Sequence, residues 1–186
     1  MNIRKALFED AEAIAGLLML ASGEVMYKFA GEKNYPKARD FLFHFVKRQS
    51  NQYSYQNCYV AEDENELVGA VLVYDGAKLA ELRKPVLDYI HQHFDSTLQV
   101  EDETHAGESY IDSLGVSSVH QGKGIGFQLL QFVINEKVKT GGGTIGLLVD
   151  KTNPGAKRLY LNLGFIPVGE KSLLGISLEH LQLKVI

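Results

Sequence analysis

The sequence predicts an α/β fold, and three observations carry that reading. A strand-like segment, Gly107 to Val116, runs through three alternate glycines, Gly122, Gly124 and Gly126, directly into an amphipathic helix from Phe127 to Lys139. Two β-rich runs, Cys58 to Ala61 and Leu67 to Tyr74, flank the polar turn Glu62 to Glu66 as an antiparallel hairpin. Helical periodicity occupies much of the remaining chain. No repeat, low-complexity tract or Pro/Ser-rich linker interrupts it, so residues 1–186 are read as one domain.

Taken in order, Asn2 to Ala6 is the first strand. Asp10 stands where a helix can be capped, ahead of apolar residues at Ile14, Leu17, Leu18 and Ala21. Pro36 to Arg48 and Leu79 to Phe94 are further helices. Thr144 to Val149 is the strand that follows the Phe127–Lys139 helix. Asn153 is a good N-cap, Pro154 suits the first helical position and Gly164 suits a left-handed C-terminal residue, which brackets a short helix. Phe165 to Val168 and Leu178 to Val185 are the last strands.

Composition narrows the function. With 186 residues, 45% of them hydrophobic, the chain has ample material for a buried core. A net charge of −4 argues against a nucleic-acid partner. No run approaches the roughly 20 apolar residues of a membrane span, and the first residues lack the apolar core of a signal peptide, so no membrane partner and a cytoplasmic location are expected. Cys58 is the only cysteine, which leaves no intramolecular disulfide and no cysteine-based zinc site. His91 and His93 are two apart on a helix and so do not face one another, and with His105 they make a poor metal site. No metal is expected. Exposed edge strands make a homodimer an open option.

The glycine loop is built for an anion, because glycines permit tight turns and close backbone approach while the first amides of a helix have no intrahelical partners. Three nucleotide patterns compete for it. The P-loop spacing fails around Gly122-Lys123. The dinucleotide pattern meets Gly122 and Gly124 but has Phe127 in place of a third glycine, with Asp150, at the end of the next apolar strand, as its candidate ribose-binding acid. The pattern Gln/Arg-x-x-Gly-x-Gly/Ala is met by Gln121, Gly124 and Gly126, and it resembles the acetyl-CoA signature of the GCN5-related N-acetyltransferase (GNAT) superfamily. Downstream, Asn153, Ala156, Tyr160, Gly164 and Phe165 match that superfamily's Asn-x-x-Ala-x-x-x-Tyr and Gly-Phe positions, in the expected order.

The resemblance implies a mixed, largely antiparallel sheet flanked by helices, and a chain that transfers acetyl from acetyl-CoA to an amine. It places the coenzyme on Leu114, Val116, Gln121, Gly122, Lys123, Gly124, Gly126 and Asn153. Backbone amides near Leu114 to Val116 would stabilise the oxyanion and hold the pantetheine arm. Tyr160 would be the acid for the departing thiol. A primary amine, with a pKa of about 10.4, arrives as ammonium and must lose a proton first. Strand alternation puts Glu108, Tyr110 and Asp112 on one face and Ser109, Ile111 and Ser113 on the other, with Asp112 the first choice of base and Glu108 the second. Two other readings remain: a non-catalytic acyl-CoA-binding module of this fold and a nicotinamide-dependent oxidoreductase.

One stretch departs from the family. About thirty residues, Leu79 to His105, stand between the third and fourth strands where a short turn is usual. From Pro85 through Gly122 there is no Lys or Arg, yet Asp88, Asp95, Glu101, Asp102, Glu103, Glu108 and Asp112 all occur. A cleft lined by that stretch would draw a cationic small-molecule or peptide amine. The aromatic residues Phe41, Phe43, Phe45, Tyr53, Tyr55 and Tyr59 are either pocket wall or core.

Overall fold

Glu64 and Asn65 both take left-handed backbone angles (φ 48° and 66°), and so do Leu174 and Gly175 (φ 52° and 78°). Two consecutive residues of this kind make the tight turn whose twist matches antiparallel strands. These turns close two hairpins in the computed structural model, which describes residues 1–186. The first joins β2 (Cys58–Asp63) to β3 (Glu66–Asp75), and the second joins β6 (Ile166–Leu173) to β7 (Ile176–Val185). With β1 (Asn2–Lys5), β4 (Glu108–Val116) and β5 (Gly143–Asp150) they form one seven-stranded sheet, ordered β1-β2-β3-β4-β5-β7-β6. Only β4 and β5 pair in parallel. The expected mixed, largely antiparallel sheet is therefore present.

Alternation along β3 divides the core. Ala70 and Leu72 pack under α1 (Ala11–Phe29), α2 (Tyr35–Val46) and α3 (Leu79–His93), together with Leu18, Leu42 and Ile90. Val71 faces the opposite layer, where α4 (Ile125–Lys139) contributes Leu129, Leu130 and Val133. A short α5 (Pro154–Asn162) completes that layer. Helix α1 crosses β4 almost backbone to backbone: a Cβ on Gly115 would fall 1.9 Å from the Leu17 carbonyl oxygen, so only glycine fits.

Three expectations shift. Asp10 precedes α1, but its carboxylate caps no helical amide; it accepts from the Leu7 N–H at 2.7 Å and pairs with Arg4 at 2.7 Å. Helix α4 starts at Ile125 and not at Phe127, because Gly124 (φ 79°) acts as its N-cap and Gly126 lies inside the first turn. Strand β6 continues to Leu173. As an edge strand exposed along most of its length, it carries a polar stretch, Gly169 to Ser172, without the apolar alternation that would have marked it. The Leu79–His105 insertion is α3 followed by an irregular segment that returns to β4.

Candidate active site

The site begins where β4 leaves β5. Pairing between them runs only from Glu108–Thr144 to Ile111–Leu147, although β4 continues to Val116 and β5 to Asp150. The divergence starts at a bulge. On β3, Leu72 faces Ser113 while the next residue, Val73, faces Ile111, which leaves Asp112 as the extra residue. A bulge re-aims side chains. Asp112 and Ser113, which strict alternation assigns to opposite faces, meet instead, with Ser113 Oγ donating to Asp112 Oδ1 at 2.9 Å. The gap opens into a cavity of about 800 Å³. Among the expected site residues, Asp112, Leu114, Val116, Gln121, Gly122, Gly124, Gly126, Asn153 and Tyr160 line it; Lys123 and Glu108 do not.

At one end lies the glycine loop. Gly122 and Gly124 both take left-handed φ (76° and 79°), which turns the chain so that α4 points its N-terminus at the cavity. The Gln128 N–H bonds to the Gly124 carbonyl, so the amides of Ile125, Gly126 and Phe127 precede the helical ladder. Free amides and the helix dipole together suit an anion such as a diphosphate. Gln121 braces the loop by donating to the Val116 carbonyl at 3.2 Å.

Tyr160 sits on the far wall, and the motif around it explains its placement. Asn153 Oδ1 accepts from the Ala156 N–H at 3.0 Å to start α5. At the other end Phe165 N–H reaches the Tyr160 carbonyl and Gly164 N–H the Leu161 carbonyl, with Gly164 at φ 93°. This pair of bonds is a Schellman cap. Its accompanying apolar contact is Tyr160 against Phe165, edge to face at 6.0 Å. The Tyr160 hydroxyl donates to no protein group and is not sealed from solvent, and burial of the ring pushes it up to about 12.

The acidic end is assembled from distant residues. Asp112 Oδ2 accepts from Tyr74 Oη at 3.0 Å and from Gln52 Nε2 at 2.9 Å. The same two groups reach Glu103 Oε1, Tyr74 at 2.9 Å, and Arg83 Nη2 stands 3.0 Å from that oxygen. Glu103 also lines the cavity. Burial and then the nearby Asp112 push its carboxyl up to about 7, against the pull of Arg83. Pattern reading could not single out Glu103, Gln52, Tyr74 or Arg83: each is unremarkable in sequence, and Arg83 lies just before the cation-free stretch. Of the aromatic residues weighed as pocket wall, only Tyr53 lines the cavity; Phe41 and Phe45 are core.

Glu108 lies elsewhere. Its Oε2 accepts from His180 Nε2 at 3.0 Å and Gln182 Nε2 at 2.8 Å, and its Oε1 from Thr104 Oγ1 at 2.7 Å. It packs over Gly146, where a Cβ would collide with its carboxylate. Burial works against its ionisation, but those three bonds outweigh it and bring the carboxyl to about 2. A carboxylate so satisfied joins β4 to β7 and has no open oxygen for a substrate. Cys58 is fully buried, and burial pushes its thiol up to about 12, which suits a core residue.

A family model, the acetyltransferase (GNAT) family, matches residues 24–165, and the chain belongs to that family. It is similar to a solved acetyltransferase at 27% identity, each chain covered in full, with a TM-score of 0.79. It also resembles an N-acetyltransferase from Staphylococcus aureus Mu50 (23% identity, 98% of this chain and all of that one, TM-score 0.83). The Salmonella typhimurium protein yncA, solved with its cofactor acetyl-CoA, shares 18% identity over all of this chain and 94% of its own, at a TM-score of 0.59. No curated protein sequence matches the chain. The nicotinamide-dependent reading is overturned by the antiparallel sheet, since a dinucleotide fold is parallel and doubly wound. Asp150 instead holds its own turn by accepting from Thr152 N–H and Oγ1, both at 2.7 Å. No helix is long and apolar enough to cross a membrane.

Proposed function

We propose that this chain is an acetyl-CoA-dependent N-acetyltransferase that passes acetyl directly to a primary amine. The observation that carries the proposal is the single cavity between the diverging ends of β4 and β5, with helix amides at one end, carboxylates at the other and an unpartnered tyrosine hydroxyl on its wall. The amides after Gly124 suit the coenzyme's diphosphate, with Gln121, Gly122, Gly126 and Asn153 forming the surrounding wall. Lys123, outside the cavity, adds only long-range charge.

The β4 edge from Leu114 to Val116, unpaired toward β5, can hydrogen-bond the pantetheine amides as an added strand. The same amides stabilise negative charge growing on the thioester oxygen. Tyr160, protonated at any working pH, donates to the sulfur as it leaves. Asp112 gives the acceptor end its negative charge and draws a cationic small-molecule or peptide amine toward it.

The test is thiol release from acetyl-CoA against a panel of primary amines: a polyamine, an amino-acid ester, an aminoglycoside and an N-terminal peptide. Amine-dependent release supports the enzyme. Calorimetric binding of acetyl-CoA without release from any amine would leave a non-catalytic acyl-CoA-binding module.

A further inference from the structure

We propose that Glu103, contributed by the irregular segment of the insertion, is the general base of the transfer and accepts the ammonium proton on Oε2. This rests on the acetyltransferase reading and names a group within it. The Glu103 side chain is 6% exposed, and the residue lines the cavity. Its Oε1 is held by Tyr74, Gln52 and Arg83. Its Oε2 receives no hydrogen bond from the protein and is not sealed from solvent. On a residue that lines the cavity, that is the oxygen left free to accept a proton. No other acid of the insertion or of β4 combines an open oxygen with a place on the cavity wall; Glu24 and Asp150 also line the cavity, but Glu24 is a solvent-exposed partner of Lys33 and Asp150 holds the Thr152 turn. Both oxygens of Asp112 are engaged, by Ser113 on one side and by Tyr74 and Gln52 on the other. Glu101 accepts from the Leu174 N–H at 2.9 Å, Asp102 pairs with Arg83 on the surface, and Glu108 is saturated away from the cavity.

The groups facing Glu103 are Asp112 and Tyr110 from β4, Tyr74 from β3, Arg83 from α3 and Tyr53 from the segment before β2. A single Tyr74 proton lies within reach of two carboxylate oxygens, so the pair is more easily held with one negative charge than with two. A base poised near neutrality suits proton removal from an ammonium group, because it is ionised when needed and still basic enough to accept. The carboxyl at about 7 meets that requirement.

One nitrogen proton moves to Glu103 Oε2, and the freed lone pair forms the bond to the thioester carbon. The C–S electron pair leaves on sulfur, which takes the Tyr160 hydroxyl proton. The second nitrogen proton, relayed by water, restores Tyr160, and Glu103 returns its proton to solvent.

Steady-state thiol release, followed as kcat/KM against pH, tests the proposal on the intact chain with the amine panel above. Wild type is expected to rise with pH through an inflection near 7. Glu103→Gln should lower kcat by about 10²- to 10⁴-fold and abolish the inflection, while calorimetry finds acetyl-CoA affinity within about threefold of wild type. Asp112→Asn removes a like charge and should move the inflection to lower pH. If Glu103→Gln keeps wild-type turnover or the same inflection, the proposal is overturned and the acetyltransferase reading stands. Should that variant fail to fold, an inflection that stays put or rises in Asp112→Asn overturns it equally. Absence of thiol release by wild type with every amine would remove the parent reading and the base together.

Discussion

At the glycine-loop end, the residues that turn the chain and present its amides all lie between Val116 and Phe127, with the local cap Asn153 and the Gly164-Phe165 stop placing Tyr160 opposite them. At the acidic end, Gln52, Tyr74, Arg83, Glu103 and Asp112 come from five separate parts of the chain and meet only because the sheet and α3 bring them together. The coenzyme end works through main-chain donors, so its chemistry is carried by backbone angles and short motifs. The acceptor end works through side chains whose charge each depends on the others. One should therefore tolerate side-chain changes that leave the turns intact, and the other should answer to isosteric changes that leave the fold intact.

The widest separation of the two ends is expected from Tyr160→Phe. Turnover should fall about 100-fold, the usual scale for a proton donor, while calorimetry finds acetyl-CoA binding unchanged. Equal losses in both would mean that the hydroxyl supports coenzyme binding and is not the acid, since the substitution keeps the ring.

Next in size is a contrast between two buried carboxylates near the start of β4. Glu103 is raised to about 7, so its contribution is fully favourable below its unfolded pKa and is lost as pH climbs through 7. Glu108 is lowered to about 2, so its contribution is present above the unfolded pKa and is lost as pH falls toward 2. Denaturant titrations of Glu103→Gln should remove a loss on the order of 2–3 kcal/mol between pH 4.5 and 7. Glu108→Gln should flatten the acid side by a similar amount, on the order of 2–3 kcal/mol between pH 4.5 and 2, and leave acetyl transfer near wild type. The same pH dependence in both variants would contradict the distinction drawn between them.

Gly124→Ala probes the coenzyme end. A side chain at φ 79° costs about 1–2 kcal/mol, and acetyl-CoA affinity should drop about tenfold with turnover at saturation retained. The smallest effect belongs to Lys123→Ala, expected to weaken binding by no more than about threefold and only at low salt. A larger, salt-resistant loss would mean that its side chain, and not the loop amides, grips the diphosphate.

The difference between the two ends also explains what was legible in advance. Gln121, Gly124, Gly126, Asn153, Tyr160 and Gly164 were readable because each does its work within a few residues of itself: a left-handed turn, an N-cap, a Schellman stop. Asp112 was readable as cavity-facing, but its companionship with Ser113 was not. A bulge is a property of two strands in register and leaves no mark on one of them alone. Glu108 looked like a second base because alternation along β4 cannot reveal that β7 supplies His180 and Gln182 to occupy it.

Family, strand and helix order, and the anion-seeking loop were determined by the chain on its own, since they depend on backbone preferences and short-range hydrogen bonds. Which carboxylate stays charged and which is held near neutrality was decided only by tertiary structure. Ionisation depends on burial and on neighbours, and for Glu103 the deciding groups lie 9 to 51 residues away in sequence.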